Sequence, residues 1–173
     1  IPLDNALHAA ILRSPVAHGY LKSVTPGDLP KGFHLLTAKD CPNINPIRAV
    51  PRVPGFKASD FPIFATGKVR YVGQPIAICL APTAAEAEDI AQLVQVDIEE
   101  LPAIIDMREA AERTDTVLHD AWGDNVYIQR DVDGGDIEAA RVNADITVTN
   151  EFRLNRHGAV PLESRAVFAN WDD

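Results

Sequence analysis

Hydrophobic and polar positions along the first hundred residues alternate or cluster in short blocks that change character at glycine and proline. Residues 8–12 are apolar until Arg13-Ser14-Pro15 breaks them, which predicts a strand entering a loop. Residues 20–24 predict a second strand, closed by the turn residues Pro26-Gly27-Asp28, and residues 33–37 a third. Residues 69–80 carry the clearest sheet signal. Val69 and Tyr71 flank a charged Arg70, Gly73-Gln74-Pro75 interrupts, and Ile76-Ala77-Ile78-Cys79-Leu80 then runs continuously apolar, as a central strand does. Thr83, with Glu86 three residues on, forms a capping box that opens a helix over residues 84–93. Its stripe is Ala84, Ala87, Ala91 and either Ile90 or Val94, with acidic residues in the first turn where the helix dipole favours them. Val94, Val96 and Ile98 then alternate with Gln95, Asp97 and Glu99, the pattern of a half-exposed strand. A strand–helix–strand unit is the expected core of an α/β (α+β) domain with a mixed sheet and packed helices.

Between and after these blocks the pattern loosens. Residues 38–68 hold prolines at 42, 46, 51, 54 and 62 and no sustained period. So long a connection needs a reason. Its many apolar residues leave two accounts open: an arm packed on its own domain, or one covering another domain or subunit. Beyond the strand at 94–99, Ile104-Ile105 reads as buried and Asp106 caps a short helix reaching Glu112. Residues 114–132 are irregular, with a short strand at 126–128. Asp136 caps a helix over 137–142. Ile146, Val148, Asn150, Phe152 and Leu154 alternate with Thr147, Thr149, Glu151 and Arg153, predicting another strand, and a last strand is expected near 167–169.

Composition narrows the functional classes. The 173 residues are 46% hydrophobic and carry a formal net charge of −9, with sixteen Lys and Arg against twenty-five Asp and Glu. Such a balance offers no basic stripe to neutralise a nucleic-acid backbone. No stretch approaches the roughly 20 apolar residues of a membrane-spanning helix, and no basic-then-apolar leader precedes Ile1-Pro2-Leu3-Asp4, so a cytoplasmic protein is expected. The start without Met and the end at Trp171-Asp172-Asp173 are read as those of a piece of a larger protein. Cys41 and Cys79 are too few for an iron–sulfur or zinc site; Cys79 reads as a buried small hydrophobe, and a disulfide between the two stays open.

Candidate chemistry is sparse. Neither a dinucleotide-binding nor a P-loop glycine pattern is present, and Gly134-Gly135 lacks a third spaced glycine. The histidines at 8, 18, 34, 119 and 157 show no metal-ligand spacing, and His119-Asp120 reads as surface polarity. Two groups remain. Arg156, His157, Glu163 and Arg165 fall within ten residues, where a carboxylate flanked by arginines would stay ionised and could orient an amide, ring nitrogen or carboxyl group. The same residues equally make a local salt-bridge cluster, and a hydrolase built on His157 and Glu163 lacks a visible nucleophile. Gly73-Gln74 could approach a cofactor or a neighbouring chain closely, or could be a bulge that redirects the strand; the pattern favours the bulge.

Several motifs together resemble a known family. Leu7-His8-Ala9-Ala10-Ile11-Leu12-Arg13-Ser14-Pro15-Val16-Ala17-His18 is similar to the opening of the hammerhead domain of the xanthine dehydrogenase and aldehyde oxidase (molybdenum hydroxylase) family. Val69-Arg70-Tyr71-Val72-Gly73-Gln74-Pro75-Ile76-Ala77 resembles its most recognisable internal motif. Residues 84–103 resemble the helix, strand and loop that follow, and Gly135-Asp136-Ile137-Glu138-Ala139-Ala140 and Pro161-Leu162-Glu163-Ser164-Arg165 the approach to the molybdenum-cofactor region. The resemblance implies a hammerhead domain over residues 1–112 and the start of the molybdopterin-binding region over 113–173. It further implies a large subunit that hydroxylates an aldehyde, N-heterocycle or related small substrate with oxygen from water. Its molybdopterin-type cofactor would belong to the full assembly, with 2Fe–2S clusters and FAD on other domains or subunits and none expected within this chain. Glu163 falls where purine-oxidising members hold a substrate-orienting glutamate, which makes Glu163 and Arg165 candidate substrate-binding residues and leaves Gly73 and Gln74 as cofactor-proximal or structural ones. The family's cofactor loops and metal-side base have no counterpart here, so the chain is expected to be catalytically incomplete alone; a non-catalytic subunit-interaction module is the rival reading.

Overall fold

A computed structural model describes residues 5–49, 52–155, 157–158 and 160–170. The chain divides into two compact units, Ile1–Asp131 and Val132–Asp173. In the first, strands β1 (His8–Arg13), β2 (Gly19–Thr25), β3 (His34–Thr37), β4 (Ile47–Arg48), β5 (Asp60–Phe61), β6 (Lys68–Val69) and β7 (Pro75–Ala81) precede helix α1 (Ala84–Leu93), strand β8 (Gln95–Glu100) and helix α2 (Met107–Glu112). The strands form two three-stranded antiparallel sheets, ordered β1–β7–β3 and β6–β2–β8, and a ribbon of β4 with β5. The fold is the mixed α/β type expected.

The apolar run of β7 is explained by its place in the middle of its sheet, where Ile76, Ala77, Cys79 and Ala81 are almost fully enclosed. Between the sheets, Ala65, Val69, Ile76 and Ala77 form one buried cluster, joined by Leu12, Leu21, Val24, Leu35, Val96 and Ile98. Cys79, Ile90 and Val94 form a second, through which α1 packs on β7. Burying Ile90 alone is worth about 1.5–3 kcal/mol. Of the expected helix stripe Ala87 and Ile90 are buried, whereas Ala84 is exposed because it lies in the first turn, at the rim. Thr83 caps the helix by accepting from Glu86 N–H (3.3 Å), and the Glu86 carboxylate accepts the Thr83 hydroxyl (2.7 Å). Asp106 caps α2, accepting from the amides of Arg108 and Glu109.

Several expectations are corrected. Val94 closes α1 and β8 begins at Gln95. Residues 69–80 are not one interrupted strand, since β6 lies in one sheet and β7 in the other. Ile105 is exposed, because the chain there leaves the sheet for the surface. Residues 126–128 make only a single bridge, Ile128 to Phe56. In the arm the account of packing on its own domain holds for one part. Phe64 and Ala65 are buried in the unit's own core, while Ile44, Ile47, Phe61 and Ile63 remain exposed; Val50 lies outside the described residues. Cys41 and Cys79 are free thiols.

The second unit holds helix α3 (Ile137–Val142), capped by Asp136, which accepts from Ala139 N–H (2.9 Å). Residues 146–154 and 167–169 lie outside any strand, contrary to their patterns, and every described residue of this unit is exposed. A strand forms only where a partner edge accepts its backbone groups and a core takes its apolar face.

Candidate functional site

Two features of the first unit gather polar side chains. One is the corner that carries the chain from β6 to β7. Gly73 turns it with a φ of +87°, open to solvent where a Cβ would meet nothing. Ser14 holds the corner from the end of β1: its N–H donates to the Gln74 carbonyl (2.8 Å), and its own carbonyl accepts from Gly73 N–H (2.8 Å). Arg13 adds a bond to the Gly73 carbonyl (3.0 Å). The Gln74 side chain is buried, with Oε1 accepting from Arg70 N–H (2.7 Å). Gln74 therefore braces the corner from within, and Gly73 supplies a backbone angle that a side chain would strain.

The other feature joins residues about fifty positions apart. Lys68 is buried, and its ammonium donates to the Asp120 carboxylate (2.6 Å) and the Val117 carbonyl (3.1 Å). Arg70 donates to the carbonyls of Leu118 (2.9 Å) and Lys68 (3.2 Å). His119 stacks on Trp122 with ring centroids 4.1 Å apart, and Trp122 in turn meets Tyr127, which packs edge-on against Phe56. Burial, with Arg70 and Lys68 nearby, pushes the His119 imidazole below its usual range and favours the neutral ring. The hydrogen bond from Lys68 holds the Asp120 carboxyl below the ordinary carboxylate range. A cleft of about 300 Å³ lies beside these residues, lined by Phe61, Arg70, Tyr71, Gln74, Leu118 and His119 among others. Ser59 is buried at its wall.

The sequence pattern expects His119 and Asp120 to be solvent-facing polar residues. Asp120 is indeed largely exposed, yet its carboxylate neutralises a buried cation. The available signal was Lys68 itself, since a lysine abutting a buried strand needs a partner. In the second unit, His157, Glu163 and Arg165 are exposed and Arg156 lies outside the described residues. No ion pair joins Glu163 to Arg165 among the described residues.

Comparison with known proteins gives this architecture its context. Residues 1–102 match the family model for the aldehyde oxidase and xanthine dehydrogenase a/b hammerhead domain. The chain belongs to that family. The hammerhead chain is 32% identical over 177 aligned residues to the nicotine 6-hydroxylase large subunit of Paenarthrobacter nicotinovorans, covering 99% of this chain and 21% of that protein. Among solved structures, quinoline 2-oxidoreductase from Pseudomonas putida 86 aligns with a TM-score of 0.67 and 36% identity over 73% of this chain and 16% of the other. Aldehyde oxidoreductase from Desulfovibrio gigas aligns with a TM-score of 0.70 and 32% identity over 82% and 16%. The hammerhead chain thus spans about a fifth of the length of the relatives it matches.

The family implies a molybdenum cofactor, and the described residues do not fit one. Among them, no three His, Cys, Asp or Glu side chains converge to hold a metal. The two cations beside the cleft are engaged internally: Lys68 by Asp120 and Val117, and Arg70 by two carbonyls. No helix among the described residues is long and apolar enough to cross a membrane.

Proposed function

We propose that the hammerhead chain is one part of the large subunit of a molybdenum-containing hydroxylase acting on an aldehyde, an N-heterocycle or a related small molecule with water as oxygen source. In this reading residues 1–112 are the hammerhead domain and residues 113–173 begin the cofactor-binding region. The cofactor is held by the remainder of the large subunit, and 2Fe–2S clusters and FAD sit on other domains or subunits. The reading rests on the hammerhead match over residues 1–102, supported by relatives whose names include nicotine and quinoline, both N-heterocycles. Within the first unit the chain's own contribution is structural: its two sheets are locked together at the Gly73–Gln74 corner. Glu163 and Arg165 in the second unit are the candidate substrate contacts, because a carboxylate and a guanidinium can both orient a polar heterocycle.

Elemental mass spectrometry across a native size-exclusion run of the large subunit carrying this chain tests the proposal. Molybdenum is expected in a peak far above 18.8 kDa. A metal-free large subunit would remove the proposal. The second reading, a non-catalytic interaction module, is favoured by one observation: the cations Lys68 and Arg70 are engaged by internal carbonyls and a carboxylate. It predicts that the assembled enzyme keeps its turnover when Glu163 and Arg165 are changed.

A further inference from the structure

The second unit has the wrong balance for an independent domain. It comprises Val132–Asp173, and all of its described residues are exposed, so they enclose no core among themselves. Within it, Ile146, Val148, Phe152 and Leu154 are 81%, 76%, 84% and 85% exposed. These four fall at even positions of a stretch whose odd positions are Thr147, Thr149, Glu151 and Arg153. Period-two alternation places the first set on one face of an extended chain and the second on the other. A helical reading fails, because i+3 or i+4 from Ile146 meets Thr149 and Asn150. Threonine and valine at the centre favour the pleated form as well.

We infer that residues 146–154 are a β-strand whose partner edge and covering layer are supplied by the remainder of the large subunit, an inference that rests on the reading under Proposed function. Length identifies this occupant. The chain covers 16% of the solved relatives' chains and 21% of the nicotine 6-hydroxylase large subunit, so a subunit of that size carries several times as many residues again. A second copy of this chain is the other occupant, and the test below decides between the two. The apolar face packs inward in the assembled subunit, and Thr147 and Thr149 lie on the opposite, more polar face.

The test compares two paired substitutions in the full large subunit, Val148→Asp with Phe152→Asp and Thr147→Asp with Thr149→Asp. Burying two unpaired carboxylates should cut recovery of molybdenum-containing subunit at least about tenfold for the first pair. The second pair should change it less than about twofold, as surface substitutions do. Backbone amides of 146–154 should exchange at least about a hundredfold more slowly in the large subunit than in the chain alone. Neither pair should move the thermal midpoint of the isolated chain. Equal losses from the two pairs would overturn the strand, as would fast exchange in a molybdenum-loaded subunit. An isolated chain that dimerises with 146–154 protected would assign the segment to a second copy and overturn it too. A wild-type large subunit without molybdenum counts against the function reading, whereas molybdenum with fast exchange counts against the strand alone.

Discussion

Gly19→Ala separates two accounts of why glycine stands at the start of β2. Gly19 lies between β6 and β8, paired with Val69 on one side and Glu100 on the other. A methyl group there would sit 2.6 Å from Ile98 Cγ2 and 2.8 Å from the Glu99 carbonyl oxygen. The Ile98 side chain can turn away, but the Glu99 carbonyl belongs to the β2–β8 pairing and cannot retreat without loosening it. Such overpacking costs about 1–3 kcal/mol, against about 0.4–1 kcal/mol gained by stiffening the unfolded chain. The net expectation is a loss of up to about 2.6 kcal/mol, centred near 1.3 kcal/mol, from the difference of those two ranges. With a urea slope of about 2 kcal/mol per molar, the unfolding midpoint falls by about 0.6 M at the centre of that range and by at most about 1.3 M. Ile98→Ala has its own cavity cost, so the pair is read as a double-mutant cycle: the two losses should sum to more than the double variant's, by only part of the Gly19→Ala loss, because the carbonyl collision stays. A Gly19→Ala midpoint at or above that of the parent would refute the close-approach account and leave chain entropy as the deciding factor.

Other expectations follow from the same geometry. Ile90→Ala should cost about 2–5 kcal/mol and Ile90→Val about 0.5–1.5 kcal/mol, read from urea midpoints; equal effects would mean α1 is not anchored there. Thr83→Ala removes the helix cap and should cost about 1 kcal/mol, visible as a lower thermal midpoint. Two groups give the chain an acid limb of stability. The His119 pKa is depressed by folding, so its contribution is complete above the ordinary value of 6.5 and is lost as the pH falls below it. The Asp120 pKa is also depressed, so its contribution is complete above 3.8 and disappears as the pH falls through the lowered value. His119→Gln should therefore flatten the upper part of the decline in thermal midpoint and Asp120→Asn the lower part. A His119→Gln curve parallel to the parent between about pH 7 and 5 would sink this account.

The sheets and α1 were legible because their signals are local. The Thr83 cap, the apolar run at 76–80 and the alternation at 94–99 each lie within a dozen residues, and each is satisfied inside the first unit. The sheet assignment of β6 and β7 was not legible, since a glycine-proline interruption reads the same whether the chain bulges within a sheet or crosses between two. The Lys68–Asp120 pair was hidden for a related reason: its members stand 52 positions apart, and nothing local marks Asp120 as a partner. At 146–154 the strand pattern is legible and the strand is absent. The alternation describes a surface that this chain alone does not cover, which is why periodicity and structure disagree there.

The antiparallel pairing of β1 with β7 also sets a timetable for synthesis. His8 lies opposite Ala81 and Gly19 opposite Glu100, so each sheet joins residues made more than seventy positions apart. At about 5–20 residues per second, β1 leaves the ribosome roughly 4–15 seconds before the strand that must flank it. Through that interval Ile11 and Leu12 travel on a nascent chain with no sheet to enter. Newly made chains thus expose these apolar strand residues through that interval, and slowing translation between codons 14 and 74 should lengthen the exposure rather than relieve it.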